Sequence, residues 1–304
     1  MGHIGQSLSS SFEFSSFSEI VSRYDGVLCD VWGVIHNGTA AFNDAVDALC
    51  RVRASGRFVI LITNAPRLSR DIYPQLKRFG VPRSAFDTIV TSGDVTAALL
   101  ARQPDAPLFH FGPARDMSVL EGLPNPIVEM SDAQLCLLTG PLDDEVLSVD
   151  NYERQLTEMQ QNAVTVICAN PDLVVRSGNR MVICAGSIAQ RYVALGGKVV
   201  FAGKPEAAIY DDALIRANGL AGRTLRKRHL LAIGDGLPTD IMGAANNGFD
   251  AYFITGGIHA GAFGNMKVEA EVTMAAKIIR GQYANLSLVG LSDRLQWMPT
   301  QVEP

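Results

Sequence analysis

Short apolar runs that stop abruptly at a polar residue constrain this chain more than any other feature. Val27-Leu28-Cys29 stops at Asp30, residues 58–62 stop at Thr63, and residues 230–233 stop at Gly234-Asp235. Runs of β-branched and apolar residues with no polar alternation read as strands covered on both faces, which a parallel sheet between helices requires. The stretches between them carry helix punctuation. Asn43 is placed to cap a helix whose Val46, Leu49, Cys50 and Val52 share one face, and Gly56 is placed to end it. A second helix is expected over residues 70–79, stopped by Gly80 and Pro82. Strands over 88–91, 108–111, 135–138, 164–168, 199–201 and 251–254, with helices over 205–217 and 239–246, continue the rhythm. The expected fold class is α/β, with a Rossmann-like parallel sheet core.

A length of 304 residues suggests two domains at roughly 100–200 residues each. In mid-chain the punctuation changes: a polar helix near 152–161 is followed by segments 173–176 and 180–184, joined through Ser177-Gly178-Asn179 as a β-hairpin. The expected division is a Ser-rich tail over 1–18, a discontinuous core over 19–101 and 199–304, and an inserted α/β cap over 102–198. From Met266 onward we expect one amphipathic helix and otherwise irregular sequence.

Charge and cysteine content narrow the function classes. With 26 Lys and Arg against 31 Asp and Glu, the net charge of −5 offers no global field for nucleic acid or an anionic membrane, so neither is an expected partner. Cys29, Cys50, Cys136, Cys168 and Cys184 are odd in number, scattered and without Cys-x-x-Cys spacing, which suits buried thiols in a reducing compartment. No Lys or Arg precedes Arg23 and no apolar run approaches the ~20 residues of a bilayer span, so a cytoplasmic location is expected.

Four segments carry chemistry. Asp30, in Cys29-Asp30-Val31-Trp32-Gly33-Val34, sits where an open parallel sheet binds ligands and can act as a carboxylate nucleophile; on this segment alone, a strand-end Asp capping a turn is the better reading. Thr63 and Asn64, with Arg67 after them, can hold phosphate oxygens, or simply cap the next helix. Lys204, in Gly203-Lys204-Pro205, can neutralise a phosphate beside a carboxylate, or be a solvated surface lysine. Asp235 and Asp240 flank a Gly-containing turn in a pattern that suits a hard, oxygen-loving cation such as Mg²⁺, although Gly-Asp-Gly alone is an ordinary turn.

The order of these segments resembles the haloacid dehalogenase superfamily from about Tyr24 to Gly257, and the long insertion resembles the cap of its class IIA, NagD-like and nitrophenylphosphatase-like branch. Ala169-Asn170-Pro171-Asp172 and Gly186-Ser187-Ile188 are similar to that branch's cap sequence. The resemblance implies a Mg²⁺-dependent phosphatase of small phosphorylated metabolites, such as sugar or aryl phosphates, working through an aspartyl-phosphate on Asp30. In that reading Asp30 and Lys204 are catalytic, Thr63, Asn64, Arg67, Gly33 and Arg176 bind substrate, and Asp30, Asp235, Asp240 and the Trp32 carbonyl hold Mg²⁺. Cap residues Asn179 and Arg180 are further substrate contacts, and a homodimer through the cap is an expectation of the same resemblance.

One departure matters. The family's phosphatases carry a general-acid Asp two residues after the nucleophile, where this chain has Trp32. General acid–base help is typically worth about 10²–10⁴-fold, so its loss favours substrates with good leaving groups or a surrogate, for which His36 is the candidate. It also keeps open a non-catalytic phosphometabolite binder and a phosphoramidase or phosphotransferase. The metal-free dehalogenases, which also carry a bulky residue here, have no use for the paired acids Asp235 and Asp240.

Overall fold

The computed structural model describes residues 16–143, 148–177, 180–263, 269–283 and 285–298. The first helix, α1 (Phe17–Val21), is capped by the Ser16 hydroxyl and turns Phe17, Ile20 and Val21 into the core. The expected tail therefore ends before Ser16: the serines there serve as cap and solvent face of a short helix, and residues 1–15 lie outside the described ones. Strand β1 (Gly26–Cys29) leads to α2 (Asn43–Ala54), in which Asn43 is the first helical residue rather than the cap, Phe42 taking the cap position. Then follow β2 (Phe58–Thr63), α3 (Ser69–Phe79), β3 (Thr88–Thr91) and α4 (Ser92–Leu100).

The middle of the chain forms a separate sheet from β4 (Leu108–Phe111), β5 (Leu135–Leu138), β6 (Thr165–Cys168) and β9 (Lys198–Phe201), with α5 (Glu153–Gln161) before β6. Strands β7 (Val174–Ser177) and β8 (Arg180–Ile183) pair antiparallel as the expected hairpin, and α6 (Ala185–Ala194) follows. Strand β9 (Lys198–Phe201) corrects the expected boundary, since it pairs with β6 in this second sheet and not with the core. Its apolar run reads as a strand in either sheet, and only hydrogen bonding decides between them.

The chain returns to the core through α7 (Ala207–Ala221), β10 (Leu230–Gly234), a π-helical turn over Leu237–Ile241 continued by α8 (Met242–Asn247), and β11 (Asp250–Ile254). The helix expected from 239 thus begins with a widened turn, in which Gly236 accepts from the amides of both Asp240 and Ile241. After α9 (Ala260–Phe263) and α10 (Glu269–Gln282), β12 (Ser287–Ser292) adds an edge strand where irregular sequence was expected.

The core sheet runs β12-β11-β10-β1-β2-β3, all parallel. Alternating residues serve its two faces. Val27, Cys29, Val59, Leu61, Leu231 and Ile233 pack against α2 and α3, whereas Leu28, Ile60, Ile62, Leu230 and Ala232 pack against α7 and α8. Both faces are therefore removed from water, at about 25 cal/mol per Å² of apolar surface buried. The second sheet is likewise covered twice, by α5 and α6 on one face and by the end of α4, through Leu100, on the other.

Candidate active site

Strand β1 lies between β2 and β10, so the chain leaves it in opposite directions and a crevice opens beyond its carboxyl end. Asp30 follows β1, Thr63 ends β2 and Asp235 follows β10, placing all three at this crevice. Lys204 arrives differently, on the segment that crosses back from β9 of the second sheet to α7 of the core. Its position therefore depends on both sheets. The Asn64 side chain holds it: Oδ1 accepts from the Lys204 amide at 2.7 Å and Nδ2 donates to the Lys204 carbonyl at 3.2 Å. The same Nδ2 donates to Asp172 at 2.9 Å, tying the Asn170-Pro171-Asp172 turn of the insertion to the core.

Lys204 Nζ donates to Asp30 Oδ1 at 2.5 Å and Asp240 Oδ1 at 2.7 Å, and all three groups are buried. Asp235 is held by the Ile258 amide at 2.7 Å, and Asp240 by the Gly236 amide at 2.9 Å. Asp30, Asp235 and Asp240 each present an oxygen within 4.8 Å of the others'. Burial raises the Asp30 carboxyl from its ordinary 3.8 to about 7; Lys204 opposes the shift and Asp240 adds to it. Burial, reinforced by Asp30 and Asp240, pushes Asp235 well above the carboxylate range. For Lys204, burial alone would lower the ammonium, but Asp240 and Asp30 override it and raise it well above its ordinary value.

Charge arithmetic supplies a test of metal fit. Three carboxylates against one ammonium leave a buried charge of −2 when all are ionised, which a divalent cation matches in charge and, through hard oxygen donors, in chemistry. The packing reserves room for Asp235 there: a Cβ on Gly33, at φ +90°, would stand 2.0 Å from Asp235 Oδ2, and one on Gly257 would stand 1.9 Å from it. Only a residue without a side chain permits that approach.

Several expected substrate contacts do something else. The Gly33 amide donates to the His36 carbonyl at 2.8 Å, so Gly33 makes space for Asp235 instead of presenting an N–H to a ligand. Asn64 spends its amide on Lys204 and Asp172. Thr63 lines the carboxylate cavity, and its hydroxyl oxygen accepts from the Ala65 amide at 3.2 Å. Arg67 does not line that cavity; its guanidinium pairs with Gln75 and faces Asp116 at 3.8 Å. Arg176 does line it, and its carbonyl accepts the Trp32 indole N–H at 2.8 Å. Arg180 lines a neighbouring cavity, and Asn179 lies outside the described residues.

His36 is not placed to replace the missing acid. Its ring is buried between Trp32 and Phe79, and Nδ1 accepts from the Gly38 amide at 3.0 Å. Burial pushes its pKa down to about 4, so at neutral pH it carries no proton to give as imidazolium. The sequence makes His36 a candidate acid because the apolar neighbour that does most to enclose it, Phe79 on α3, lies far along the chain. Residues not anticipated at the site are Asp172, which joins Asn64, and Ile258 and Gly257, which hold and admit Asp235.

Comparison with known proteins agrees with this architecture. The family model described as haloacid dehalogenase-like hydrolase matches residues 27–123, and a HAD-hydrolase-like model matches 201–274. A crystal structure of a haloacid dehalogenase-like hydrolase from Brucella suis 1330 superimposes with a TM-score of 0.81 at 37% identity, covering 92% of this chain and 98% of that one. The 5′-nucleotidase YutF of Bacillus subtilis is 24% identical over 248 residues, 78% of this chain and 90% of its own length. The glycerol phosphate phosphatase of Mycobacterium tuberculosis, solved in complex with calcium, shares the fold at a TM-score of 0.60 and 23% identity, over 80% of this chain and 69% of that one. With Asp30, Lys204, Asp235 and Asp240 gathered beyond one sheet edge and a whole-length match at this identity, the chain belongs to the haloacid dehalogenase-like hydrolase family and has the fold of its NagD-like and nitrophenylphosphatase-like members.

Proposed function

We propose that this chain is a Mg²⁺-dependent phosphatase of small phosphorylated metabolites that works through an aspartyl-phosphate on Asp30. The observation that carries the reading is the buried Asp30–Lys204–Asp240 bridge with Asp235 beside it, a charge arrangement incomplete without a cation. Relatives described as a 5′-nucleotidase and a D-glycerol 3-phosphate phosphatase support phosphate monoesters as the substrate class. Free thiols at all five cysteines suit a cytoplasmic setting, and no helix among the described residues is long and apolar enough to cross a membrane. A homodimer through the inserted layer belongs to the same reading.

In the first step a carboxylate oxygen of Asp30 attacks phosphorus, the P–O bond to the leaving group breaks, and its electron pair departs on the ester oxygen. Lys204 keeps the attacking carboxylate ionised and, with the Thr63 hydroxyl, faces the phosphoryl oxygens. Mg²⁺ held by Asp30, Asp235, Asp240 and the Trp32 carbonyl would offset phosphoryl charge. In the second step water attacks the acyl phosphate, releasing phosphate and restoring Asp30. Neither step finds a proton carrier at position 32: the indole N–H is committed to the Arg176 carbonyl, and His36 is neutral and enclosed. Leaving groups of low basicity, such as aryl phosphates, are therefore the better substrates.

Steady-state turnover of a panel of phosphate esters with Mg²⁺, with Asp30→Asn as control, tests the reading. Asp30-dependent phosphate release is expected. Saturable binding with no such release would favour a non-catalytic binder, and transfer to an added acceptor a phosphotransferase.

A further inference from the structure

A second cavity, of about 360 Å³, adjoins the carboxylate site, and the two share Trp32, Thr63, Asp172 and Val175 in their linings. Three arginines from separate elements converge on it: Arg67 ahead of α3, Arg115 after β4, and Arg180 at the start of β8. The carboxylates among its lining are Asp116 and Asp172. Of the three arginines, Arg67 is the one set into the wall. Its side chain is only 24% exposed, yet Asp116 stands at 3.8 Å, beyond hydrogen-bond distance, and Gln75 is its short-range partner. A guanidinium desolvated to this degree and incompletely matched favours an added anion, for which its planar fork suits carboxylate or phosphate oxygens. Ile72, Val182 and Ile183 give the cavity an apolar stretch suited to a short carbon skeleton, while Gln75, Thr139 and Asn170 add polar side chains to its lining.

We propose that this cavity receives the leaving group, and that it selects phosphomonoesters whose remainder carries a second anionic group, a carboxylate or a second phosphate. The proposal rests on the phosphatase reading, which places the phosphoryl group on the Asp30 side of Trp32 and Thr63. The arrangement divides the labour: the core holds the phosphoryl group, while Arg115 and Arg180 of the insertion join Arg67 of the core around the other end.

Equilibrium binding to the Asp30→Asn protein tests this without requiring turnover. Two matched pairs serve as probes, 3-phosphoglycerate against glycerol 3-phosphate and fructose 1,6-bisphosphate against fructose 6-phosphate. The doubly anionic member should bind at least about tenfold tighter in one pair, and which pair responds identifies carboxylate or phosphate as the second anion. Arg67→Gln and, at an exposed position, Arg115→Gln should each collapse that ratio toward one. Arg70→Gln, an exposed neighbour on α3 paired with Glu121, should preserve it. Ratios within threefold in both pairs, or a ratio that survives both cavity substitutions, would overturn the proposal. If wild-type protein turns over singly anionic esters through Asp30 while the ratios stay near one, the phosphatase reading stands and this inference falls. If the ratio is large but no ester is turned over, the cavity's preference stands and the hydrolase reading falls.

Discussion

The carboxylate centre and the cavity beside it are built on opposite principles. At the centre, strand register places Asp30 and Asp235 one residue beyond paired strands, and Lys204, Asn64, Ile258 and Gly236 engage the acids or hold what engages them. The cavity takes its arginines from a 3₁₀ turn, a hairpin and a strand-to-helix connection, with Arg115 and Arg180 exposed. A rigid centre supports one chemistry, whereas a wall of turns can be changed without touching the core; reaction and selection are thereby separated.

Lys204→Met should break the centre most severely. It leaves Asp30 and Asp240 buried without their cation, and removing one partner of such a cluster typically costs about 3–5 kcal/mol, with turnover falling on the order of 10³-fold. Chemical denaturation and steady-state kinetics measure the two losses. If the variant is as stable and active as wild type, the bridge is not what holds the centre.

Trp32→Asp sharpens the comparison from the other side, since it restores an acid and cuts the link to the Arg176 carbonyl. A gain on alkyl phosphates of about 10²-fold, with a smaller gain on aryl phosphates, is expected, because only poor leaving groups need the proton. Equal changes on both classes would show that the indole's grip on the hairpin, not the missing acid, governs turnover. A milder effect is expected of Asn64→Ala, which frees the Lys204 backbone and severs the tie to Asp172: about 1–3 kcal/mol of stability, read by denaturation, and roughly tenfold in turnover.

An effect on pH-dependent melting is expected as well. Asp30 is raised from 3.8 to about 7, so in the cation-free protein the folded state binds more protons than the unfolded one between those values. Stability must then fall as pH rises through that window. Mg²⁺ should raise the melting temperature, and by more at pH 7.5 than at pH 5. A cation-free melting temperature that rises across the window would mean that Asp30 is not the group that takes up the proton.

What could be read from sequence follows the same division. Strands covered on both faces, such as residues 27–29 and 230–233, announce themselves as apolar runs, and the acids at their ends inherit that clarity. Strand β12 did not, because Ser287, Gly290 and Ser292 interrupt an edge strand that needs no continuous apolar run. Strand β9 was legible as a strand but not as a member of the second sheet, since composition does not choose a hydrogen-bonding partner. The side-chain roles that escaped are those set across long separations: Asn64 with Asp172 and Lys204, Trp32 with Arg176, and the three arginines around one cavity. No local periodicity records such pairings.

The central claim is that Asp30 carries the phosphoryl group. Initial rates of p-nitrophenyl phosphate hydrolysis with Mg²⁺, for wild type and Asp30→Asn at equal concentration and verified folding, test it most directly. Turnover is expected in the wild type, and its loss by at least about 10³-fold in the variant, since the carboxamide cannot replace the attacking oxygen. Turnover that survives the substitution would contradict it.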